Sequence, residues 1–282
     1  MATTQITLPN GCRLPDGSSV RSAELRHLDG EDEDFIRDKD QARQDGLLDR
    51  LIKRCLVRLG DATDPADISR AYGHLHLADT QALLIDLRKA SIGPRYTFDR
   101  QCPRCSKVSS QSLDLNTLKL DMQADHDFGH DAYDARVTTE RPEDGETLIS
   151  FVPLRTVHAT LLESIKTQYP KERSTREMLV QLRTINGETA DAPTLKKLPW
   201  AVRQGIRDAM DAVEGGYDTE LQITCPHCEA VEKASMPINM QSFFFPRAGT
   251  FWTSSVVPCR PSGTTPSTSP SSSTGPQPTS GG

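Results

Sequence analysis

No apolar run in this sequence approaches the roughly 18 residues that a membrane-spanning helix requires. The segment from Met1 to Pro9 lacks the basic start and apolar core of a secretory signal peptide, so we expect a protein that is made and folded in the cytosol. Basic charge is not in excess, with 33 Lys and Arg against 39 Asp and Glu. Because nucleic-acid binding depends on clustered Lys and Arg, this balance argues against bulk affinity for DNA or RNA.

Signatures of the common enzyme classes are also missing. The sequence has no Gly-rich phosphate loop, no G-x-S-x-G nucleophile elbow and no H-E-x-x-H metalloprotease motif. Its carboxylates fall mostly on charged helical faces or in loops. We therefore predict a protein that is not an enzyme and has no small-molecule substrate.

Cysteine is scarce, with seven in 282 residues, and a chain of this length and compartment does not use so few as a disulfide framework. Their spacing is more informative than their number. The motif C-P-x-C occurs at 102–105 and again at 225–228, here called the first and second knuckle. Each follows an alternating segment and precedes another extended one. This pattern predicts two β-hairpins, near 96–115 and 217–238, with the cysteines at their tips.

Each knuckle supplies half of a metal site. Two residues between the cysteines let both sulfurs turn toward one ion, and the proline restricts the backbone of the tight turn. Structural zinc takes four ligands in a tetrahedron, so two knuckles complete one site. We predict a single structural zinc ion, bound by Cys102, Cys105, Cys225 and Cys228, in a zinc ribbon split by a long insertion. Four thiolates leave no position for a reactive water, which excludes a catalytic role for that ion.

Two other functions could use the same cysteines. An oxidoreductase with C-x-x-C dithiols is disfavoured, because neither pair stands between a strand and a helix of a βαβ unit. The alternative function is a zinc-ribbon regulator that binds nucleic acid. It is disfavoured because only the first knuckle has basic flanks. The flanking charges are Arg100, Arg104 and Lys107 at the first knuckle, and Glu220, Glu229, Glu232 and Lys233 at the second.

The remaining pattern predicts an α+β fold of helices and short antiparallel hairpins. Helices are expected over Gly46–Leu59, Asp79–Ser91, Thr156–Tyr169 and Leu198–Val213, with one more helix starting at Phe35 behind the solvated acidic run Gly30–Asp34. Strands are expected over Ile6–Leu8, Val20–Leu28 and within Glu143–Pro153, and Met178–Ile185 should lead as a strand into a turn at Asn186-Gly187. Turns are expected at Pro9–Gly11 and Pro15–Gly17, and the segment Asp121–Arg141 should be a loop.

Composition separates the end of the chain from the rest. The segment 258–282 contains seven Ser, six Pro, five Thr and four Gly, with Arg260 as its only charge. Such a segment cannot bury enough apolar surface to offset the entropy of ordering its backbone. We therefore predict one α+β domain over residues 1–257 and a disordered tail over 258–282.

Three consecutive aromatic residues, Phe243, Phe244 and Phe245, occur in a protein with only 5% aromatic residues. Neighbouring side chains of an extended segment point to opposite faces, so at least one ring is expected at the surface. The three residues are therefore candidate partner-binding anchors. The alternative is a final strand that packs into the core.

A succession of motifs extends from about Val20 to Arg247. It consists of the acidic segment around Gly30, Glu33 and Ile36, a leucine-rich helix ending in Arg54-Cys55-Leu56, the helix Leu83-Leu84-Ile85-Asp86-Leu87-Arg88 leading to Ser91-Ile92-Gly93, the strand Tyr96-Thr97-Phe98 before the first knuckle, the second knuckle, and Ser242-Phe243-Phe244-Phe245-Pro246. This succession resembles the base-plate protein family of T-even-type bacteriophages and its relatives in other contractile-tailed phages.

The resemblance implies a late protein of tail morphogenesis, either a component of the baseplate hub or a factor that assists hub assembly. Such a protein acts through contacts with other phage tail or baseplate proteins. It is expected in the host cytoplasm during assembly and in the tail baseplate of the virion. The tail 258–282 and the length of the segment 121–141 lie outside the family pattern.

Overall fold

The computed structural model describes residues 2–14, 16–44, 46–124, 130, 132–238 and 243–245. Within these ranges the helices are α1 (Gly30–Arg37), α2 (Lys39–Ala42), α3 (Leu47–Cys55), α4 (Pro65–Tyr72), α5 (Leu77–Ser91), α6 (Ala159–Gln168), α7 (Arg173–Gln181), α8 (Ala192–Lys197) and α9 (Trp200–Asp211). The strands are β1 (Thr3–Arg13), β2 (Ser19–Arg26), β3 (Leu56–Leu59), β4 (Arg95–Gln101), β5 (Val108–Asp114), β6 (Leu120–Asp121), β7 (Tyr133–Thr138), β8 (Glu146–Phe151), β9 (Leu182–Ile185), β10 (Glu188–Thr189), β11 (Gly216–Tyr217), β12 (Glu220–Thr224) and β13 (Val231–Ser235).

These strands pair only with antiparallel neighbours, in small separate sheets. One sheet has the order β1-β2-β3, and another has the order β10-β9-β8-β7. The two-stranded sheets are β4 with β5, β12 with β13, and β6 with β11. Short antiparallel sheets alternating with helices are the α+β architecture, so the predicted fold class is confirmed.

The first hydrophobic core joins the sheet β1-β2-β3 to helices α3 and α5. Helix α3 buries Leu51, Ile52 and Cys55, which lie on one face because an α-helix has 3.6 residues per turn. Helix α5 is buried over most of its length, and Leu83 and Leu87 are fully inaccessible to solvent. Its observed span confirms the helix that the sequence predicts up to Ser91.

A second core lies in the segment between the two knuckles. It packs the sheet β10-β9-β8-β7 against α7 and α9. Helix α9 buries Val202, Ile206 and Met210 at helical spacing. Trp200, which the sequence groups with these apolar positions, is instead 78% exposed at the first turn of the helix.

A buried polar contact joins β1 to the residues that follow α9. The Gly215 amide donates to Asn10 Oδ1 at 2.6 Å, and Asn10 Nδ2 donates to the Gly215 carbonyl at 3.0 Å. Asp79 of α5 accepts hydrogen bonds from the backbone amides of Asn10 and Gly11 at 2.8 and 3.0 Å. Hydrogen bonds therefore connect β1, helix α5 and the residues after α9, and they satisfy the buried polar groups of all three segments.

The helix predicted over Gly46–Leu59 is wrong in its last turn. Helix α3 ends at Cys55, and Leu56–Leu59 continue directly as β3. The reason is tertiary pairing: Leu56 and Leu59 lie opposite Leu25 and Ala23 of β2, and both leucines are buried there. A leucine-rich segment of four residues fits either element by pattern alone, and the sheet partner decides between them.

Two further local predictions are wrong near the N-terminus. Pro9–Gly11 forms no turn but lies inside β1, where the pairing register with β2 shifts between Thr7 and Cys12. The acidic run is not merely a solvated helix start, because α1 already begins at Gly30 and the Asp32 carboxylate is buried. Asp32 pairs there with Arg26 of β2 at 2.5 Å and with Arg54 of α3 at 3.3 Å.

Other elements differ from prediction in their bounds or type. Residues up to Gln181 of the segment Met178–Ile185 are helical in α7, and only Leu182–Ile185 form the strand before the Asn186-Gly187 turn. The segment predicted as a loop over 121–141 contains strand β7. The predicted domain end at residue 257 and the predicted tail 258–282 lie outside the described residues, while Met1–Arg247 form one compact unit.

Candidate metal centre

The first knuckle closes the hairpin formed by β4 and β5, here called the first hairpin. The Cys102 amide donates to the Lys107 carbonyl at 2.9 Å, and the Ser106 amide donates to the Cys102 carbonyl at 2.8 Å. These two bonds turn the chain through the C-P-x-C segment. The sulfurs of Cys102 and Cys105 are thereby carried on the same tip of the hairpin.

The second knuckle repeats this geometry on β12 and β13, the second hairpin. The Cys225 amide donates to the Ala230 carbonyl, and the Glu229 amide donates to the Cys225 carbonyl, both at 2.9 Å. The residue after each second cysteine has a left-handed backbone, with φ of 58° at Ser106 and 57° at Glu229. The two predicted hairpins therefore end in the same local structure, although their loop sequences differ.

The fold brings all four predicted ligands together. The four sulfurs lie within 4.8 Å of one another. The shortest separations run between the knuckles, with Cys102 Sγ at 3.7 Å from Cys228 Sγ and Cys105 Sγ at 3.8 Å from Cys225 Sγ. None of the four is joined in a disulfide. The first cysteine of each knuckle is buried and the second is partly exposed. The two knuckles therefore have the same pattern of solvent exposure.

These separations fit a tetrahedral metal site. Four sulfurs placed about 2.3 Å from a central zinc ion are about 3.8 Å apart along each edge of the tetrahedron. The two shortest distances match that edge. The donor set is also closed, since four thiolates fill the coordination of a tetrahedral ion. The residues present therefore suit a structural metal ion, and all four are supplied by this chain.

The pKa values of two thiols in the cluster are shifted by their surroundings. Backbone amides of Cys105 and Arg104 stabilise the thiolate of Cys102 and lower its pKa to about 7. The Ala230 amide acts in the same direction on Cys228, but burial and the neighbouring sulfurs outweigh it and raise the pKa of Cys228 to about 12. The sulfurs of Cys228 and Cys225 lower the pKa of Cys102, whereas the other three sulfurs raise the pKa of Cys228. The thiols therefore do not ionise together, and a bound metal cation favours the thiolate form of all four.

The opposite charges of the two hairpins face each other beside the sulfurs. Arg100 of β4 donates through Nε to Glu232 Oε1 of β13 at 2.5 Å, and each of these side chains is about a quarter exposed. Glu220 of the second hairpin pairs with Lys233 at 3.2 Å. Part of the basic flank of the first knuckle is thus neutralised by the acidic flank of the second, which weighs against the nucleic-acid-binding alternative.

The first hairpin is also anchored to the chain that follows the second. Tyr96 of β4 is fully buried and donates its hydroxyl to the Pro237 carbonyl at 2.5 Å. The ring of Tyr96 contacts the ring of Phe243 edge to face, with centroids 5.0 Å apart. Aromatic contacts of this kind add stability beyond the area that they bury. The first core therefore supports the hairpin that carries Cys102 and Cys105.

Phe243 and Phe244 are placed in the first core and are at most 4% exposed. Their burial agrees with the core alternative for the aromatic segment, but the backbone at both residues is helical and not the extended strand that was expected. Neither ring is accessible to a partner in this conformation. Phe245 is only partly buried, and the Arg37 guanidinium lies 4.2 Å from the centre of its ring. Partner binding by Phe243, Phe244 and Phe245 remains a prediction, with Phe245 as its accessible member.

Sequence reasoning missed the pairing of Arg100 with Glu232. The signal that could have found it is the opposite charge of the residues that flank the two knuckles. The redox alternative is disfavoured by position: each C-x-x-C lies at the tip of a hairpin rather than between a strand and a helix.

Comparison with known proteins places the chain in a family. The model of the family described as T4 bacteriophage base plate protein matches residues 14–183, which is more than half of the sequence. The chain belongs to this family. The T4 base plate match includes the first knuckle and ends before the second, so it does not bear on the four-cysteine cluster. No curated protein and no solved structure matches the chain.

Membership of the T4 base plate family supports a structural role in a phage baseplate, with other baseplate proteins as partners. Among the residues that the structure describes, no helix is long and apolar enough to cross a membrane.

Proposed function

We propose that this protein is a structural or assembly protein of a phage tail baseplate, as a component of the hub or as a factor that assembles it. It acts through protein contacts and carries out no chemistry. The observation that carries this proposal is the base plate family match over residues 14–183. The partners are other tail or baseplate proteins. The protein works in the host cytoplasm during assembly and, as a hub component, remains in the virion.

In this function a single zinc ion stabilises the fold. Cys102, Cys105, Cys225 and Cys228 hold it as four thiolates, and the ion supplies coordination bonds alone. The paired sulfurs of Cys102 and Cys228 are 126 positions apart in the sequence. Coordination therefore closes a long loop, which includes the second core, and disfavours the unfolded chain. A baseplate protein gains from this a rigid body whose binding surfaces keep a fixed relationship.

The proposal is tested by following the protein through tail assembly. A tagged full-length chain is produced during infection, and baseplate intermediates and mature particles are purified separately. Stoichiometric protein in both fractions identifies a hub component, whereas protein in the intermediates alone identifies an assembly factor. Binding to duplex DNA at physiological salt, with no tail protein recovered, contradicts the proposal and supports the nucleic-acid-binding alternative.

A further inference from the structure

A groove of about 950 Å³ lies between the two cores. The first core contributes to it through α3 and α5, and the other side is formed by α6, α7 and α9. Apolar side chains line it on both sides. They include Leu48, Leu84, Leu162, Met178 and Met210. Leu84, Met178 and Met210 are buried, whereas Leu48 and Leu162 are partly exposed along the groove.

The charged lining of the groove is predominantly acidic. It carries the carboxylates of Asp49, Glu163, Glu177 and Asp211 against the cations Lys166 and Arg207. Lys166 is paired with Glu163 at 2.5 Å, and Glu177 is paired at 2.7 Å with Arg173, which does not line the groove. Asp49 and Asp211 are the lining carboxylates without a cationic partner in these pairs. Burial raises the pKa of Asp211, and the nearby Asp208 raises it further while Arg207 lowers it. The groove therefore joins an apolar floor to a rim with excess negative charge.

The shape of the lining selects the form of the occupant. An extended peptide binds through backbone hydrogen bonds to an open strand edge. This groove offers side chains from five helices and from the loop residues Leu154 and Ile238 instead. Helices in such grooves are bound through apolar residues spaced three and four apart, with charges on either side. The acidic rim favours basic residues at those flanking positions.

We propose that the groove binds an amphipathic helix of another baseplate protein, with an apolar face and Lys or Arg on both sides of it. This inference rests on the proposed function, because that function supplies the class of partner. A second copy of this chain is disfavoured. A symmetric pair joins the same surface of both copies, so two acidic rims would repel each other.

The test uses designed peptides with the full-length protein. The probe is a fluorescein-labelled 18-residue helix with Leu on one face and Lys on both flanks. Its controls are the same helix with Glu in place of Lys, and a Leu/Lys peptide of equal composition without helical periodicity. Fluorescence anisotropy should show binding of the Leu/Lys helix that weakens with added salt, and binding of the Glu version that is at least about tenfold weaker.

Two adjacent leucines of α6 provide a matched pair of variants. Leu162 lines the groove, whereas Leu161 is 49% exposed and does not line it. Leu162→Arg should weaken peptide binding at least about tenfold, and Leu161→Arg should leave it unchanged. If Leu162→Arg fails to fold, Glu163→Lys tests the same groove. The Glu163 side chain is 61% exposed, so its replacement is compatible with folding. Its control is Glu188→Lys, at an exposed position outside the groove.

Several outcomes would overturn the inference. They are no binding of the Leu/Lys helix, equal binding of the Lys and Glu helices, or equal loss in both leucine variants. Self-association of the protein that Leu162→Arg abolishes would assign the groove to a second copy. Failure of one proposal can be distinguished from failure of the other. Absence of peptide binding with normal recovery of the protein in baseplates rejects only the groove. Peptide binding without recovery of the protein in baseplates rejects only the proposed function.

Discussion

The Arg100 guanidinium binds the Glu232 carboxylate beside the four cysteines, although the two residues are 132 positions apart in the sequence. This ion pair joins the first hairpin to the second without involving the sulfurs. It therefore favours the alignment of the two knuckles independently of the sulfurs. Because both side chains are about a quarter exposed, solvent screening keeps its contribution small.

A double-mutant cycle with Arg100→Gln and Glu232→Gln should give a coupling free energy of about 0.5–1 kcal/mol, decreasing as salt is added. Denaturant unfolding of the four proteins measures it. The control pair is Lys233 with Glu220, whose side chains are 75% and 58% exposed and lie within one hairpin. Equal coupling in the two pairs would show that Arg100 and Glu232 do not align the hairpins.

Ser106 and Glu229 occupy left-handed backbone conformations that glycine adopts without strain. Ser106→Gly and Glu229→Gly should each stabilise the protein by about 0.5–1 kcal/mol, since the relief of strain exceeds the added freedom of the unfolded chain. Arg104→Gly, in the same loop but without a positive φ, should destabilise it instead. Thermal unfolding provides the comparison. Destabilisation by all three glycines would contradict the knuckle geometry.

Gly215 lies where the backbone approaches the end of β6 and the residues after it too closely for a side chain. A Cβ there would be 2.6 Å from the Asp121 carbonyl oxygen and 2.7 Å from the Gln123 nitrogen. Gly215→Ala should therefore cost about 3 kcal/mol of unfolding free energy. The neighbouring Gly216→Ala should cost less, because its nearest contact is the Ala78 side chain at 3.3 Å. Equal costs at the two positions would refute this packing.

Glu214 should make stability depend on pH. Burial raises its pKa from 4.5 to about 7, although the Leu154 amide bonds to it and opposes the shift. The folded protein then holds a proton that the unfolded chain releases between about pH 4.5 and pH 7, so this contribution is full below that window and is lost above it. Glu214→Gln should thus be more stable than the wild type at pH 8, by on the order of 2 kcal/mol, and gain nothing at pH 4.5.

Chemical unfolding of both proteins across this range measures the difference. His76, 3.9 Å from Glu214, has its pKa lowered to about 4 by burial and gives the opposite slope in both proteins. Buried Asp79, with a pKa raised to about 7, adds the same slope as Glu214 to both. Subtracting one curve from the other therefore gives the effect of Glu214 together with its coupling to Asp79, Asp211 and His76. A difference that is constant with pH would contradict its burial as a carboxylic acid.

The four-cysteine cluster could be predicted because its determinants are local. Each C-P-x-C motif is preceded and followed by an alternating segment, and a hairpin with both sulfurs at its tip follows from that arrangement alone. Only the meeting of Cys102 with Cys228 and of Cys105 with Cys225 needed a long-range inference, and the four-ligand requirement of a structural metal supplied it. Helix α5 was predictable for the same reason, from its continuous apolar pattern.

What the sequence could not supply depends on distant partners. Leu56–Leu59 becomes a strand only because β2 lies beside it. Asp32 resembles its acidic neighbours in the sequence, and only the positions of Arg26 and Arg54 make it a buried ion-pair residue. Phe243 is buried where its ring contacts the ring of Tyr96 in the first hairpin. In each case a residue with ambiguous local preference is decided by tertiary contacts.

If one metal ion joins the two hairpins through Cys102, Cys105, Cys225 and Cys228, the purified full-length chain must contain that ion. Elemental analysis should find one zinc per chain, with less than stoichiometric zinc after Cys102→Ser or Cys225→Ser. Cys12→Ala, at a buried cysteine outside the cluster, should retain the ion in its folded fraction. Absence of stoichiometric metal from the wild-type protein would contradict this coordination, and reversible oxidation of the four thiols would then favour the redox alternative.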